Sequence, residues 1–251
     1  MRFEKVNRAQ FKKKSSLIAE QILQMIKTGV YPPGSKLPPE RIIAEQMEVG
    51  RPSVREAISA LQIAGVLESR PGEGTYLTAH PISENPMRNA LAVLEESDSP
   101  FEVLQTRKAL EIGVVHLAIN VATEDDIRNI KQAWASNYEQ ACKGNYEGFI
   151  RQGRDFHLAI ASATKSRAIV GLTDGLLKMA HQPLWVYMRE QYYRQDGNRI
   201  GPMVQLHADI VKAIEERDSQ RAIQLVEEHF DIQLRQHYED SGENPDPEKN
   251  V

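Results

Sequence analysis

The N-terminal part of the chain carries three short helical patterns in close succession, and this arrangement constrains the fold more than any other feature. Apolar residues recur at helical spacing over 15–28, 39–47 and about 52–64. Only residues 48–50 separate the second pattern from the third. Two short helices joined by a tight turn form a helix-turn-helix, a motif whose second helix enters the major groove of DNA.

A strand pattern, a glycine turn and a second strand pattern follow the third helix. Residues 66–70 and 75–77 have strand composition, and Gly72 and Gly74 lie in the turn between them. A β-hairpin directly after a helix-turn-helix forms a wing. The sequence therefore predicts a winged helix-turn-helix domain over 1–78, with three helices and a two-stranded wing.

The patterns change beyond this domain. Several prolines and a polar run over 95–99 predict a linker over 79–100, although 87–94 has a short helical pattern. The polar residues 241–251 predict a disordered tail.

Between the linker and the tail, strand signals disappear. Pro183 is expected to kink or divide the longest helical pattern, and apolar spacing predicts helices over 101–121, 123–142, 145–163, 166–195, 203–216 and 218–239. We therefore expect a mainly α protein, with an all-helical bundle over 101–240.

The net charge of −4 is unevenly distributed over the 251 residues. Residues 1–80 contain 12 lysines and arginines against 8 acidic residues, whereas residues 81–251 contain 19 against 27. A basic module on an acidic body is typical of a DNA-binding domain attached to a sensor, because phosphate contacts need cations on one face only. The chain has no apolar run of membrane-spanning length, no secretory signal and a single cysteine, so we expect a cytoplasmic protein without a membrane partner.

The N-terminal motifs resemble those of the GntR family of transcription regulators. Several separate elements match in order, which is more specific than one short motif. They are Gly34-x-Lys36-Leu37-Pro38-Pro39-Glu40-Arg41-x-x-Ala44-Glu45, then Arg51-Pro52-Ser53-Val54-Arg55-Glu56-Ala57, Leu61, Gly65-Val66-Leu67 and Gly72-x-Gly74-Thr75.

The C-terminal motifs resemble the ligand-binding domain of the FadR-like, or FCD, subfamily. They are Arg107-x-x-Leu110-Glu111, Phe156-His157-x-x-Ile160-Ala161, His207-x-x-Ile210-x-x-Ala213-Ile214 and His229-Phe230. With the N-terminal motifs, the resemblance spans nearly the whole chain and implies a regulator that senses a small molecule.

The resemblance also implies which residues contact DNA. Arginine suits this role because its planar fork reaches guanine O6 and N7 together. The alternative is a solvated helix face on which the arginines pair with Glu45 and Glu56. Gly50 replaces a serine that is frequent in the family, which removes one hydroxyl contact to phosphate. The implied DNA-binding residues are Arg41, Arg51, Ser53, Arg55, Arg70 and, at the wing tip, Gly72.

Three histidines, His157, His207 and His229, lie on separate predicted helices. Many FCD domains carry histidines at similar positions, with an aspartate one turn before the first, and bind a divalent metal such as zinc. Here Gly153 occupies the aspartate position, and Asp155 points about 200° around the helix from His157.

Two arrangements of the trio remain open. One is a three-histidine metal site with open positions for water or an effector carboxylate, which we favour, and the other is a metal-free polar pocket that binds the effector through imidazole hydrogen bonds. Arg107 matches a family arginine that faces this cavity, where it can grip a carboxylate, and its alternative is a salt bridge to Glu111. Aromatic residues expected to pack or to line the cavity are Trp185, Tyr187, Tyr192 and Tyr193.

The sequence thus predicts a ligand-responsive regulator, a repressor, that binds a double-stranded DNA operator with a short inverted repeat as a homodimer. Its expected effector is a small carboxylate, such as an organic or sugar acid. One alternative is a histidine-ligated metalloenzyme fused to a DNA-binding module, and a second is a structural DNA-binding protein without a ligand. The absence of an acid–base pair and of a nucleophile motif disfavours the enzyme.

Overall fold

The computed structural model divides the chain into two compact units, with the boundary between Ser99 and Pro100. The predicted tail over 241–251 lies outside the described residues, which are 13–70, 72–79, 86–96 and 98–239. Within these ranges, no helix is both long enough and apolar enough to cross a membrane.

The first unit begins with the predicted helix-turn-helix, formed by α1 (Lys14–Lys27), α2 (Glu40–Met47) and α3 (Arg51–Ile63). α2 ends because Glu48 adopts a left-handed conformation with a φ of 53°, which turns the chain out of the helix. Pro52 lies in the first turn of α3, where its missing N–H is not needed. α1 and α2 both pack on α3, whose buried apolar residues include Val54, Ala57, Ile58 and Leu61.

The wing is an antiparallel pair of strands, β1 (Leu67–Arg70) and β2 (Gly74–Leu77). Gly74 has a φ of +115°, a conformation that side chains larger than hydrogen rarely adopt. The loop before α2 also pairs with β2, since the Leu37 amide donates to the Thr75 carbonyl oxygen at 2.9 Å. The predicted winged helix-turn-helix is confirmed, and this pairing fixes the wing to the loop between α1 and α2.

A helix lies inside the segment predicted as a linker. α4 (Pro86–Glu96) packs on α1 and α3, with the side chains of Ala90 and Leu94 buried. Lys13 Nζ donates to the Leu94 carbonyl oxygen at 2.9 Å. The short helical pattern over 87–94 is confirmed within the predicted linker, and the burial of two apolar residues one turn apart docks this helix on the first unit.

The described residues of the second unit are built from helices, which confirms the predicted all-helical domain. Pro183 divides the longest predicted helix into two, as expected, and a short 3-10 turn precedes α10. The helices are α5 (Pro100–Val121), α6 (Glu124–Cys142), α7 (Tyr146–Ala163), α8 (Arg167–Met179), α9 (Pro183–Gln195), α10 (Ile200–Glu215) and α11 (Ser219–Glu239).

The core of the second unit surrounds α7. This helix packs against α5, α6, α8 and α9, and its Phe156 is inaccessible to solvent. α11 adds Ala222, Leu225 and Phe230 to the same buried cluster. Because His157 follows Phe156 directly, the packing of this core also positions the histidine.

Shortening Leu94 tests the docking of α4. We expect Leu94→Ala to lower the unfolding free energy of the first unit by ~2–5 kcal/mol, because it leaves a cavity against α1 and α3. Both tryptophans, Trp134 and Trp185, lie in the second unit. Urea unfolding of the full chain followed by circular dichroism should therefore show an earlier transition, while the tryptophan fluorescence transition stays in place. Glu95→Ala, at an exposed position of α4, is the control, and an unchanged dichroism transition in Leu94→Ala would contradict the packing role.

Candidate functional site

Three histidines from three helices converge in the interior of the second unit. His157 comes from α7, His207 from α10 and His229 from α11, and each is at most 8% exposed. One ring nitrogen from each lies within 4.8 Å of the others. The sequence predicted the trio, and the structure brings the three rings together at one point.

Each imidazole ring is held by a polar neighbour at one of its two nitrogens. Among the residues that the structure describes, His207 Nε2 and His229 Nδ1 have no hydrogen-bond partner. A ring nitrogen that donates to an oxygen, as at His157 and His207, leaves the other nitrogen to ligate a metal. His229 differs, because the amide nitrogen of Gln233 faces its Nε2, and ligation through Nδ1 requires the amide to turn its oxygen to this nitrogen. The contacts are His157 Nδ1 to Glu111 Oε2 at 2.5 Å, His207 Nδ1 to Asn137 Oδ1 at 3.0 Å, and His229 Nε2 to the Gln233 side-chain amide at 2.8 Å.

Glu111 joins Arg107 to the histidine cluster. Its Oε1 accepts a hydrogen bond from Arg107 Nε at 2.8 Å, and its Oε2 contacts His157. Burial raises the pKa of Glu111, but the charge of Arg107 and the contact with His157 outweigh burial and lower it to about 2. The carboxylate is therefore ionised, although it is buried.

Arg107 keeps a second donor for another partner. The predicted salt bridge to Glu111 is present and uses Nε, whereas Nη2 is buried with no hydrogen-bond partner in the described part of the chain. Since Arg107 also lines the cavity beside the trio, the salt bridge and a contact to an effector are compatible.

Burial keeps the three histidines neutral. Loss of hydration lowers the pKa of His157, and it lowers the pKa of His207 and His229 well below the ordinary value. Nearby positive charges, including Arg107 and Arg189, act in the same direction. Neutral imidazoles can ligate a metal or accept hydrogen bonds.

Gly153 stands where many FCD domains carry an aspartate, and this position faces the cavity. Gly153 lines it, and a Cβ placed on Gly153 would come no closer than 3.6 Å to Asn137 Nδ2, an ordinary contact. Asp155 does not line the cavity and is exposed beside Arg154, as the helical rotation requires. The three imidazoles fit a divalent ion such as zinc, and Gly153 leaves space for a further ligand.

The cavity is narrow. It offers about 10 Å³ to the centre of a water-sized sphere, which is room for about one water molecule or one ion. Trp185 and Arg189 of α9 and Arg154 of α7 complete its wall.

Sequence reasoning missed several residues of this site. Gln233 lies one turn after His229, a spacing that could have revealed it. Asn137 is a buried polar residue in a helix of ordinary amphipathic pattern, and Arg154 and Arg189 look like surface arginines in the sequence. Their roles follow from tertiary packing alone.

The predicted DNA-binding residues cluster at the start of α3 and on the wing. Arg51 is the first residue of α3, and Ser53 and Arg55 follow within about one turn. Gly50 supplies no side-chain cap to this helix end. The first turn of α3 thus carries arginine side chains next to an N-terminus without a side-chain cap, a combination suited to phosphate.

Acidic neighbours orient two of these arginines. Arg55 donates to Glu40 Oε2 at 3.0 and 3.2 Å, and Arg41 pairs with Glu45 at 2.5 Å. Glu45 was one of the two predicted partners. The other, Glu56, accepts a hydrogen bond from the Ser99 hydroxyl at 2.6 Å.

On the wing, Arg70 pairs with Glu68 at 2.6 Å and lies over the Tyr76 ring at 4.1 Å from its centroid. Gly72 lies in the turn with a φ of +73°. Arg41 and Arg70 are exposed and can exchange their partners for phosphate at small cost, because exposed ion pairs are weak.

Comparison with known families agrees with this division of the chain. The model described as "Bacterial regulatory proteins, gntR family" matches residues 14–77, and the FCD domain model matches residues 102–232. The two matches together span most of the chain, and relatives at 30% and 31% identity are transcription regulators. The chain belongs to the gntR family of bacterial regulatory proteins.

Relatives of this gntR-family protein include named regulators. It is 30% identical to the Uxu operon regulator of Haemophilus influenzae, over 85% of this chain and 78% of that protein. It is 31% identical to the Uxu operon transcriptional regulator of Escherichia coli, over 85% and 82% of the two chains, and 28% identical to the Exu regulon transcriptional regulator of the same species, over 85% and 80%. The protein is a DNA-binding transcription regulator, and the metalloenzyme alternative is not supported.

The FCD histidines should make the stability of this gntR-family regulator depend on pH. Their folded-state pKa is lowered, so their contribution is fully present above the unfolded-state pKa of about 6.5 and is lost as the pH falls through the folded-state values. With EDTA present to remove metal ions, we expect the unfolding free energy to fall as the pH drops below the unfolded-state pKa. The expected fall is ~1.4 kcal/mol per pH unit for each buried histidine.

Tryptophan fluorescence in urea series between pH 7.5 and pH 5 (about 2.5 units apart) measures this slope. His207→Gln should reduce the slope by ~1.4 kcal/mol per pH unit, the contribution of one proton. His116→Gln, at an exposed position, should leave the slope unchanged. A slope that is the same in both variants would show that burial does not keep the trio neutral.

Proposed function

We propose that this gntR-family regulator is a repressor that binds an inverted-repeat DNA operator as a homodimer and responds to a small carboxylate, an organic or sugar acid, held in the FCD domain. The observation that carries the effector part is the convergence of three neutral imidazoles and the unpartnered Nη2 of Arg107 in one buried cavity. Such a cavity offers donors and possible metal ligands to an anion. The relatives named as Uxu operon regulators support control of an operon.

DNA recognition is assigned to the start of α3. Arg51, Ser53 and Arg55 reach base edges or phosphates from this helix end, and Glu40 holds the guanidinium of Arg55 in a fixed orientation. Arg41, Arg70 and the wing turn at Gly72 add contacts to the backbone. A homodimer presents two such modules, so that its symmetry matches that of an inverted repeat.

Replacing Arg51 tests this assignment. An operator is first selected from a randomised DNA library with the full protein, and its affinity is measured by fluorescence anisotropy at fixed salt. We expect Arg51→Ala to weaken binding by ~1–3 kcal/mol if the guanidinium contacts a base, with relaxed specificity at one position of each half-site. Arg128→Ala, in the second unit and paired with Asp125, should bind as the native protein does. Unchanged affinity in Arg51→Ala would contradict the assignment.

The trio is proposed to hold a divalent ion such as zinc. His157, His207 and His229 are the ligands, and Glu111, Asn137 and the Gln233 amide fix the ring orientations. When bound, the ion supplies a positive centre that attracts a carboxylate, since neutral imidazoles leave its charge uncompensated. Gly153 supplies no ligand, which leaves a coordination position for water or for the effector.

Restoring the family's aspartate tests the metal proposal. We expect Gly153→Asp to tighten zinc binding about tenfold or more, because a carboxylate adds a charged ligand on the face that lines the cavity. Competition with a chromophoric chelator measures the affinity. Gly171→Asp is the matched control, because Gly171 is exposed on α8 with open space around it. If the native protein and Gly153→Asp both fail to retain zinc, the trio is a metal-free polar pocket.

Regulation requires that the effector binds two arrangements of the protein with different affinity. The narrow cavity supports this, because an acid with several heavy atoms must displace groups of its wall, such as the side chains of Arg107 and Arg189. A coupling of ~1–3 kcal/mol between effector and operator is typical of such regulators. Titrating the selected operator with protein, with and without a panel of organic and sugar acids, tests the function, and operator affinity that no acid changes would overturn the carboxylate effector.

A further inference from the structure

α9 contributes two donors to the wall of the cavity. Trp185 is 2% exposed, and its Nε1 is buried with no hydrogen-bond partner among the described residues. Arg189 lies one helical turn later on the same face and lines the same cavity. A buried indole N–H without a partner costs free energy unless a ligand accepts from it, so the donor points to an acceptor that enters with the effector.

The charge of Arg189 is not balanced by an acid in the described part of the chain. Its guanidinium donates to the neutral hydroxyl of Tyr193 at 3.2 Å and lies near that ring. The other two arginines of the wall have acidic partners, since Arg107 pairs with Glu111 and Arg154 with Asp174. The excess positive charge of the cavity therefore lies on the α9 side.

We propose that Trp185 and Arg189 form a second anion-binding pole, and that the effector is consequently a dicarboxylate. This inference rests on the proposed function, in which one carboxylate occupies the pole formed by the histidines and Arg107. A monocarboxylate there would leave the Trp185 N–H without an acceptor and the Arg189 charge without a counter-ion. A second carboxylate on the same molecule satisfies both, and charged hydrogen bonds to a guanidinium are the strong ones.

Matched pairs of acids test the second pole on the full-length protein. Gluconate and glucarate differ only in a terminal hydroxymethyl or carboxylate group, and butyrate and succinate are an unhydroxylated pair. Isothermal titration at constant ionic strength should show at least one diacid binding about tenfold or more tighter than its monoacid partner. The measurement is made with and without zinc, so that the preference is assigned to α9 and not to the metal.

Variants of α9 identify the residues responsible. Arg189→Gln should remove the preference for the diacid, because it weakens binding of the diacid far more than binding of the monoacid, and Trp185→Phe should reduce the preference. Arg194→Gln is the control, because Arg194 lies on the same helix but is exposed and near Glu190. The thermal unfolding midpoint of each variant shows whether it folds.

The outcomes separate this inference from the function on which it rests. If monoacids bind as tightly as their diacids, or if Arg189→Gln keeps the preference, the proposal of a second anion-binding pole is wrong. The proposal of a carboxylate effector is not affected by that result. If no acid of the panel binds at all, the carboxylate effector is overturned and the second pole with it.

Discussion

Glu111 keeps an ionised carboxylate in the interior of the second unit, with Oε1 accepting from Arg107 and Oε2 contacting His157. An isolated carboxylate at this depth would be strongly destabilising, so each of the three groups depends on the other two. The carboxylate fixes the His157 ring and uses one edge of the Arg107 guanidinium, which leaves the other edge for the cavity. The remaining features of the effector site follow from this arrangement.

α7 belongs both to the apolar core and to the effector site. Phe156 is buried in the apolar cluster and His157 follows it, so that the packing of Phe156 fixes the backbone position from which the His157 ring contacts Glu111. One turn earlier, Gly153 faces the same cavity with no side chain. The absence of a carboxylate at this position leaves neutral imidazoles and arginines as the main polar groups of the wall, and such a wall favours an anion from outside the protein.

The helices and strands of the first unit could be predicted from neighbouring residues, except for α4. Turn residues and apolar spacing located α2, α3 and the wing, because these elements are defined by residues close together in the chain. α4 was assigned to a linker because its pattern is short and lies among prolines and polar residues. Its stability comes from burying Ala90 and Leu94 against α1 and α3, contacts that local sequence does not show.

The sequence by itself determined the helices, the two-unit organisation, the family and the three histidines, since periodicity and motif spacing are properties of neighbouring residues. Tertiary structure alone decided which polar groups meet them. Asn137 is 70 residues from His207 and yet holds its Nδ1 at 3.0 Å, and Trp185 and Arg189 reach the cavity only because α9 packs on α7. Partners so far apart in the chain are chosen by helix packing, for which the sequence carries no local signal.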